Sequence, residues 1–244
     1  MINRLKLLYK RRVRAKQYGM KFSRAATFFP PSKLQIAGRE VVLNIPDQHG
    51  IRVAFVDLLL DDCYQCEKWC GENQNINNII DIGANVGIFG LVARQKFPLA
   101  KIHAYEPNIL LKPYLETQAK AIKMTVFMEG VGKESGRMRL TLHDDSVQTR
   151  SESDQNGEIR MTSFADAIGR IGGKVDLLKI DCEGAEWELF EDSSSWQKIQ
   201  RVAMEYHLWP SHSHLEVRAR IEELGFRVHE QKPSENYGLL IASR

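Results

Sequence analysis

The chain has 244 residues, 43% of them hydrophobic, and a formal net charge of +3. That is enough apolar material for the core of one α/β domain. No run of 18 apolar residues occurs, no signal-peptide pattern opens the chain and no repeat recurs, so the expectation is a soluble, cytoplasmic protein rather than a membrane span or a solenoid.

The charge is unevenly spread. Residues 1–24 hold nine basic residues and no acid, which leaves 25 basic against 31 acidic in the remainder. Ile2, Leu5, Leu8, Tyr9 and Val13 fall near one helical face among those cations. A basic amphipathic segment of this kind suits an anionic membrane surface or a partner, and a solvated terminus equally well. Nucleic acid is not expected, because no basic run interleaved with aromatics recurs later. Residues 1–30 thus read as a basic extension, closed by Phe28-Phe29-Pro30-Pro31.

Residues 31–75 read as a β-hairpin and a helical lead-in. The hairpin is placed at residues 40–45 and 51–56, about the turn-forming residues 46–50. Cys63, Cys66 and Cys70 follow. A helix would set them on one face, where packing explains them better than a metal lacking a fourth ligand.

The third segment, residues 76–244, carries the chemistry. Asn78-Ile79-Ile80-Asp81-Ile82 reads as a buried parallel strand, Gly83-Ala84-Asn85-Val86-Gly87 as a tight loop, and Ile88 onward as a helix. Gly83 and Gly87 let backbone approach a ligand, and the helix N-terminus offers N–H groups and positive dipole. A second strand, residues 101–105, ends on Glu106-Pro107, where an acid can take two ribose hydroxyls. Asp81 and Glu106 together suit a ligand with a cationic amino-acid end and a nucleoside end, which describes S-adenosylmethionine. A nicotinamide cofactor ranks lower, since the loop lacks the third glycine of G-x-G-x-x-G.

Residues 124–129 read as the third parallel strand, followed by a loop at Gly130-Val131-Gly132. Residues 137–142 alternate like an edge strand, and residues 143–157 read as a mobile loop. The block at residues 174–186 supplies a fourth strand with Lys179 and Asp181 on one alternating face. That pattern fits either mutual pairing or a polar catalytic edge. Residues 202–207 form a fifth strand, residues 215–224 an amphipathic helix, and residues 226–230 with 237–242 a closing antiparallel pair.

Four of these pieces resemble the FkbM-type S-adenosylmethionine-dependent methyltransferases, in the family's order. They are Ile80-Asp81-Ile82-Gly83-Ala84-Asn85-Val86-Gly87, Ala104-Tyr105-Glu106-Pro107-Asn108, residues 175–186 with Lys179-Ile180-Asp181-Cys182-Glu183-Gly184-Ala185-Glu186, and Met204-Glu205-Tyr206-His207. The first two are shared by many methyltransferases; the third is far more specific. The family's Thr-Leu-Asp before the third block is replaced by Thr162-Ser163-Phe164-Ala165-Asp166, which puts any role of Asp166 in doubt.

The resemblance implies a Rossmann-like fold, a seven-stranded mixed sheet with a terminal antiparallel hairpin and helices on both faces. It implies cofactor contacts from Asp81, Gly83, Ala84, Asn85, Gly87, Glu106, Pro107 and Asp181, with Gly130 and Val131 beside the adenine. It also implies O-methylation of a sugar, polysaccharide or polyketide-like acceptor. Asp181 and Glu183 leave the fourth strand while Glu205 and His207 leave the fifth, so all four are expected to converge. His207 is the expected general base, oriented by Glu205, with Glu183 toward the acceptor. A plain strand-end histidine is the alternative for His207. Two carboxylates are too few to assert a metal, so none is expected. The rival reading is a catalytically inactive module that binds S-adenosylmethionine or a nucleotide.

Overall fold

A computed structural model describes residues 2–70, 75–141, 150–153 and 157–244. Helix α1 (Ile2–Gln17) leads into hairpin β1 (Lys33–Ile36) and β2 (Arg39–Val42), then α2 (His49–Phe55), a π-helical turn (Val56–Asp61) and α3 (Cys66–Cys70). The first βαβ unit is β3 (Asn78–Ile82), α4 (Ile88–Lys96) and β4 (Lys101–Tyr105). Helix α5 (Lys112–Ile122) and β5 (Thr125–Phe127) follow. Next come β6 (Gly130–Gly132), β7 (Gly136–Thr141), β8 (Arg150–Ser153) and β9 (Ile159–Ser163), then α6 (Phe164–Ile171). Strand β10 (Leu177–Ile180), α7 (Glu186–Phe190), α8 (Ser193–Trp196), β11 (Arg201–His207), α9 (His214–Glu223), β12 (Arg227–Pro233) and β13 (Tyr237–Ser243) complete the chain.

The main sheet has seven strands in the order β12-β13-β11-β10-β3-β4-β5. Its five strands from β11 to β5 are parallel, and β13 runs antiparallel to both β11 and β12. Along β3 and β10 successive side chains enter opposite layers. Ile79 and Leu177 join α4 and α5 on one face, while Ile80, Leu178 and Ile180 join α6 to α9 on the other. The expected Rossmann-like sheet, with helices on both faces and a terminal hairpin, is therefore present.

Three local expectations change. The N-terminal hairpin lies at residues 33–42, and residues 51–56 are helical rather than extended. Ile51, Phe55 and Leu59 recur every four residues and are all buried, so a helix hides them on one side. Gly130-Val131-Gly132 is not a loop but a strand, β6, parallel to β9 in a separate four-stranded sheet that also takes β7. Within the stretch read as a mobile loop, Arg150–Ser153 pairs with β7 as β8; residues 142–149 and 154–156 lie outside the described residues.

Asp166 has a local explanation. Its N–H donates to Ser163 Oγ at the N-cap of α6, and its Oδ2 accepts from Ser135 Oγ at 3.1 Å. Cys63 precedes α3, Cys66 is buried, and the exposed Cys70 donates its thiol to the Cys66 carbonyl. Among the described residues no helix is long and apolar enough to cross a membrane.

Candidate functional site

From the adjacent strands β3 and β10 the chain winds outward in opposite directions, toward β4 and β5 on one side and β11 on the other. Ligands bind at such a reversal, beyond the carboxyl ends of the strands. A cleft of about 450 Å³ opens there. Gly83, Asn85, Glu106, Pro107, Gly130, Val131, Asp181 and Glu183, all expected at the site, line it. Met138, Leu140 and Met161, from the small sheet, add an apolar wall that no sequence motif announced. Trp187 and Trp209 close the other side, their indole N–H groups donating to the His207 and Gly184 carbonyls at 2.8 and 3.4 Å.

Glu106 sits on the cleft floor with one backbone N–H on each carboxylate oxygen, from Asn85 and Asn108, both at 2.8 Å. Each oxygen keeps a further lone pair for a ligand hydroxyl. Burial pushes its pKa up to about 7, against the pull of those two N–H groups.

The glycine loop differs from expectation. The Gly83 and Ala84 amides both donate to the Tyr105 carbonyl, and the Asn85 amide is taken by Glu106, so these N–H groups hold the loop rather than a ligand. Ala84 is buried, Gly87 caps α4 at φ +85°, and neither lines the cleft. At Gly83 (φ +74°) a Cβ would lie 1.7 Å from the Asp181 carbonyl oxygen, so the loop and β10 are in contact only because no side chain intervenes.

Asp81 also departs from its expected role. It is completely buried, lies outside the cleft lining, and already has a cation. Lys179, its register neighbour on β10, places Nζ 3.2 Å from Asp81 Oδ1 and 3.7 Å from Asp181 Oδ2, and donates to the Gly83 carbonyl at 2.6 Å. Burial opposes the ammonium charge, yet Asp81 and Asp181 raise its pKa above the ordinary value. Here Asp81 faces Lys179 rather than the cleft, and Asp181 is the carboxylate of this pair that lines the cleft.

Asp181, Glu183, Glu205 and His207 do converge. His207 Nε2 lies 3.4 Å from Glu183 Oε2 and 3.8 Å from Glu205 Oε1, and Nδ1 lies 3.4 Å from Glu186 Oε1. Glu186, fully buried, was quoted within the motif but given no role there. Tyr64, whose hydroxyl donates to Asp181 at 3.3 Å, had no sequence signal at all. Burial works against charge on His207, but Glu186, Glu183 and Asp181 outweigh it and push the pKa up to about 9. That shift favours the imidazolium, which has no lone pair to act as the expected base. Burial raises Glu183 to about 7, with His207 pulling back, and burial with Asp181 raises Glu205 to about 8. Glu183 is the one of these two that lines the cleft. It sits at φ +56° with Gly184 at φ +106°, a sharp bend after β10.

Asp181, Glu205 and His207 place one donor atom each within 4.8 Å of one another, a set that could hold a divalent ion. Asp181 is already engaged by Lys179 and Tyr64, and His207 Nε2 is nearer Glu183 than Glu205. Turnover is accordingly expected to survive dialysis against EDTA unchanged. Loss of activity that Mn²⁺ or Mg²⁺ restores would show that these three groups are ligands.

The model of the methyltransferase FkbM domain matches residues 81–228. Methyltransferase sdnD of Sordaria araneosa is 26% identical over 198 residues, covering 62% of this chain and 73% of that protein. Methyltransferase 1 of Beauveria bassiana is 24% identical, covering 75% and 84%. The 31-O-demethyl-FK506 methyltransferase FkbM of Streptomyces tacrolimicus is 26% identical, covering 53% and 65%. Among solved structures, the METTL16 MTase domain superposes with a TM-score of 0.49 at 14% identity, over 83% of this chain and 73% of that one.

Proposed function

The chain belongs to the methyltransferase FkbM family, and from that premise we propose that it moves the methyl group of S-adenosylmethionine to a hydroxyl of a sugar, polysaccharide or polyketide-like acceptor. The observation that carries the cofactor is Glu106. A buried carboxylate with one backbone N–H on each oxygen, at the end of β4 and beside a glycine loop, is built to accept a vicinal pair of hydroxyls. Met138, Leu140, Met161 and Val131 supply the apolar surface an adenine needs. Asp181 offers the carboxylate for an ammonium.

S-adenosylmethionine, when bound, supplies an electrophilic methyl group on a sulfonium. The rest of the work falls to the protein. The cleft must hold the acceptor oxygen in line with the methyl group, and Trp187 and Trp209 give flat walls against which a ring can be oriented. Glu183, as a carboxylate, takes the hydroxyl proton as the oxygen attacks and becomes neutral, and the His207 imidazolium beforehand favours the ionised form of Glu183. Oxygen as the acceptor atom is favoured by the carboxylate that lines the cleft as a proton acceptor, and by the name of the Streptomyces relative, a 31-O-demethyl-FK506 methyltransferase.

Isothermal titration tests the cofactor assignment. S-adenosylmethionine should bind, and Glu106→Ala should weaken it by about 2–4 kcal/mol through loss of a charged bidentate acceptor. The ionised carboxylate is the form that accepts two hydroxyls. With its pKa near 7, affinity should fall as pH drops below about 7 and be flat above. Wild-type affinity in a folded Glu106→Ala protein would remove the ribose assignment, and binding of NAD alone would remove the proposal.

A further inference from the structure

Helix α1 has two unlike faces. The inner one is fixed to the body. Arg14 is buried and donates to the Leu60 carbonyl at 2.8 Å and to Glu67 at 2.5 Å, while Arg11 forks onto Asp61 at 2.5 and 2.8 Å. Ala15 is buried beside them and Leu8 is half-buried. At about 100° per residue these four occupy roughly one third of the helix circumference.

The outer face holds Leu5, Tyr9 and Val13, four residues apart, with 61%, 72% and 41% of their surfaces exposed. Lys6, Lys10, Arg12 and Lys16 flank that ridge, and Arg4, Lys21 and Arg24 are exposed nearby. Residues 1–24 contain no acid. Among the described residues these seven cations make no ion pair within the fold, and four of them, Lys6, Lys10, Arg12 and Lys16, share the outward side of α1 with the apolar ridge.

We propose that this face of α1 docks the protein on an anionic lipid bilayer, lying in the interface plane. The apolar ridge would enter the headgroup boundary while the flanking lysines and arginines meet lipid phosphates and carboxylates. The charge pattern chooses this occupant over others. A second copy of the same face would set Lys6, Lys10, Arg12 and Lys16 against their own copies. A nucleic acid would meet Leu5, Tyr9 and Val13 in the middle of the contact, where phosphate recognition calls for cations. The proposal is independent of the methyl-transfer reading, since none of these residues lines the cleft.

Flotation of the full chain with phosphatidylcholine vesicles, and with mixed phosphatidylcholine and phosphatidylserine vesicles, tests it. Binding is expected to the mixed vesicles only, and to weaken as salt rises. The exposed triple variant Leu5→Ser, Tyr9→Ser, Val13→Ser should lose about tenfold or more in vesicle affinity while melting like wild type. Lys6→Glu with Lys10→Glu and Arg12→Glu should abolish binding. Equal vesicle binding by all three proteins, or none by the wild type, would overturn the proposal. So would tighter binding to duplex DNA that the serine variant keeps, or a concentration-dependent dimer that the serine variant loses.

Discussion

Replacing Glu183 by glutamine is expected to lower turnover by about 10²–10⁴ and to leave S-adenosylmethionine affinity unchanged. The carboxylate lines the cleft, lies 3.4 Å from His207 Nε2, and is raised to about 7 by burial. A pKa close to the working pH is what a proton acceptor needs. A base acts only when ionised, so kcat/KM should climb as pH rises through about 7 and level off above it. Glu183→Gln should erase that limb together with the rate. His207→Gln separates two histories of the same proton. If His207 only lends its cation to Glu183, the limb moves to higher pH, because the carboxylate loses the charge that held its pKa down. If His207 were the base, the limb would vanish with the ring. Loss of the limb in Glu205→Gln but not in Glu183→Gln would assign the base to Glu205.

The parts of the fold that could be read from sequence are those in which burial and hydrogen bonding speak with one period. The strands β3, β4, β10 and β11 are apolar runs ending in acids, and both layers of the sheet demand such runs. The stretch from Ile51 to Leu60 offered two periods at once. Its β-branched and aromatic content suggested a strand, and the four-residue recurrence of Ile51, Phe55 and Leu59 decided for a helix once α1 and α4 lay against it. Strand β6 is two glycines around a valine and has no side-chain alternation to read; its partner β9 is what makes it a strand. At the site, the spacing of Asp181, Glu183, Glu205 and His207 foretold their convergence, since neighbouring parallel strands end together. Their protonation could not be foretold. It depends on Glu186, which approaches His207 from α7 with no exposure to water, and on the half-buried setting of Glu183.

Asp81 is buried against Lys179, and Lys179→Met should show what that pair does for the fold. The substitution is expected to destabilise the protein by about 3–5 kcal/mol in urea unfolding, because it leaves a wholly buried carboxylate without its cation. Asp81→Asn should cost less, since Lys179 would keep the Gly83 and Ile82 carbonyls and Asp181. The pair Lys179→Met with Asp81→Asn should recover much of the single loss, a coupling that only a direct interaction produces. Cofactor affinity should follow Lys179 rather than Asp81. It is the ammonium that holds the Gly83 carbonyl, and with it the loop that passes within a hydrogen atom's reach of the Asp181 backbone. Strictly additive costs in the double variant would mean that Asp81 is protonated and neutral in the folded protein. The lysine would then be anchored by backbone carbonyls and Asp181 alone.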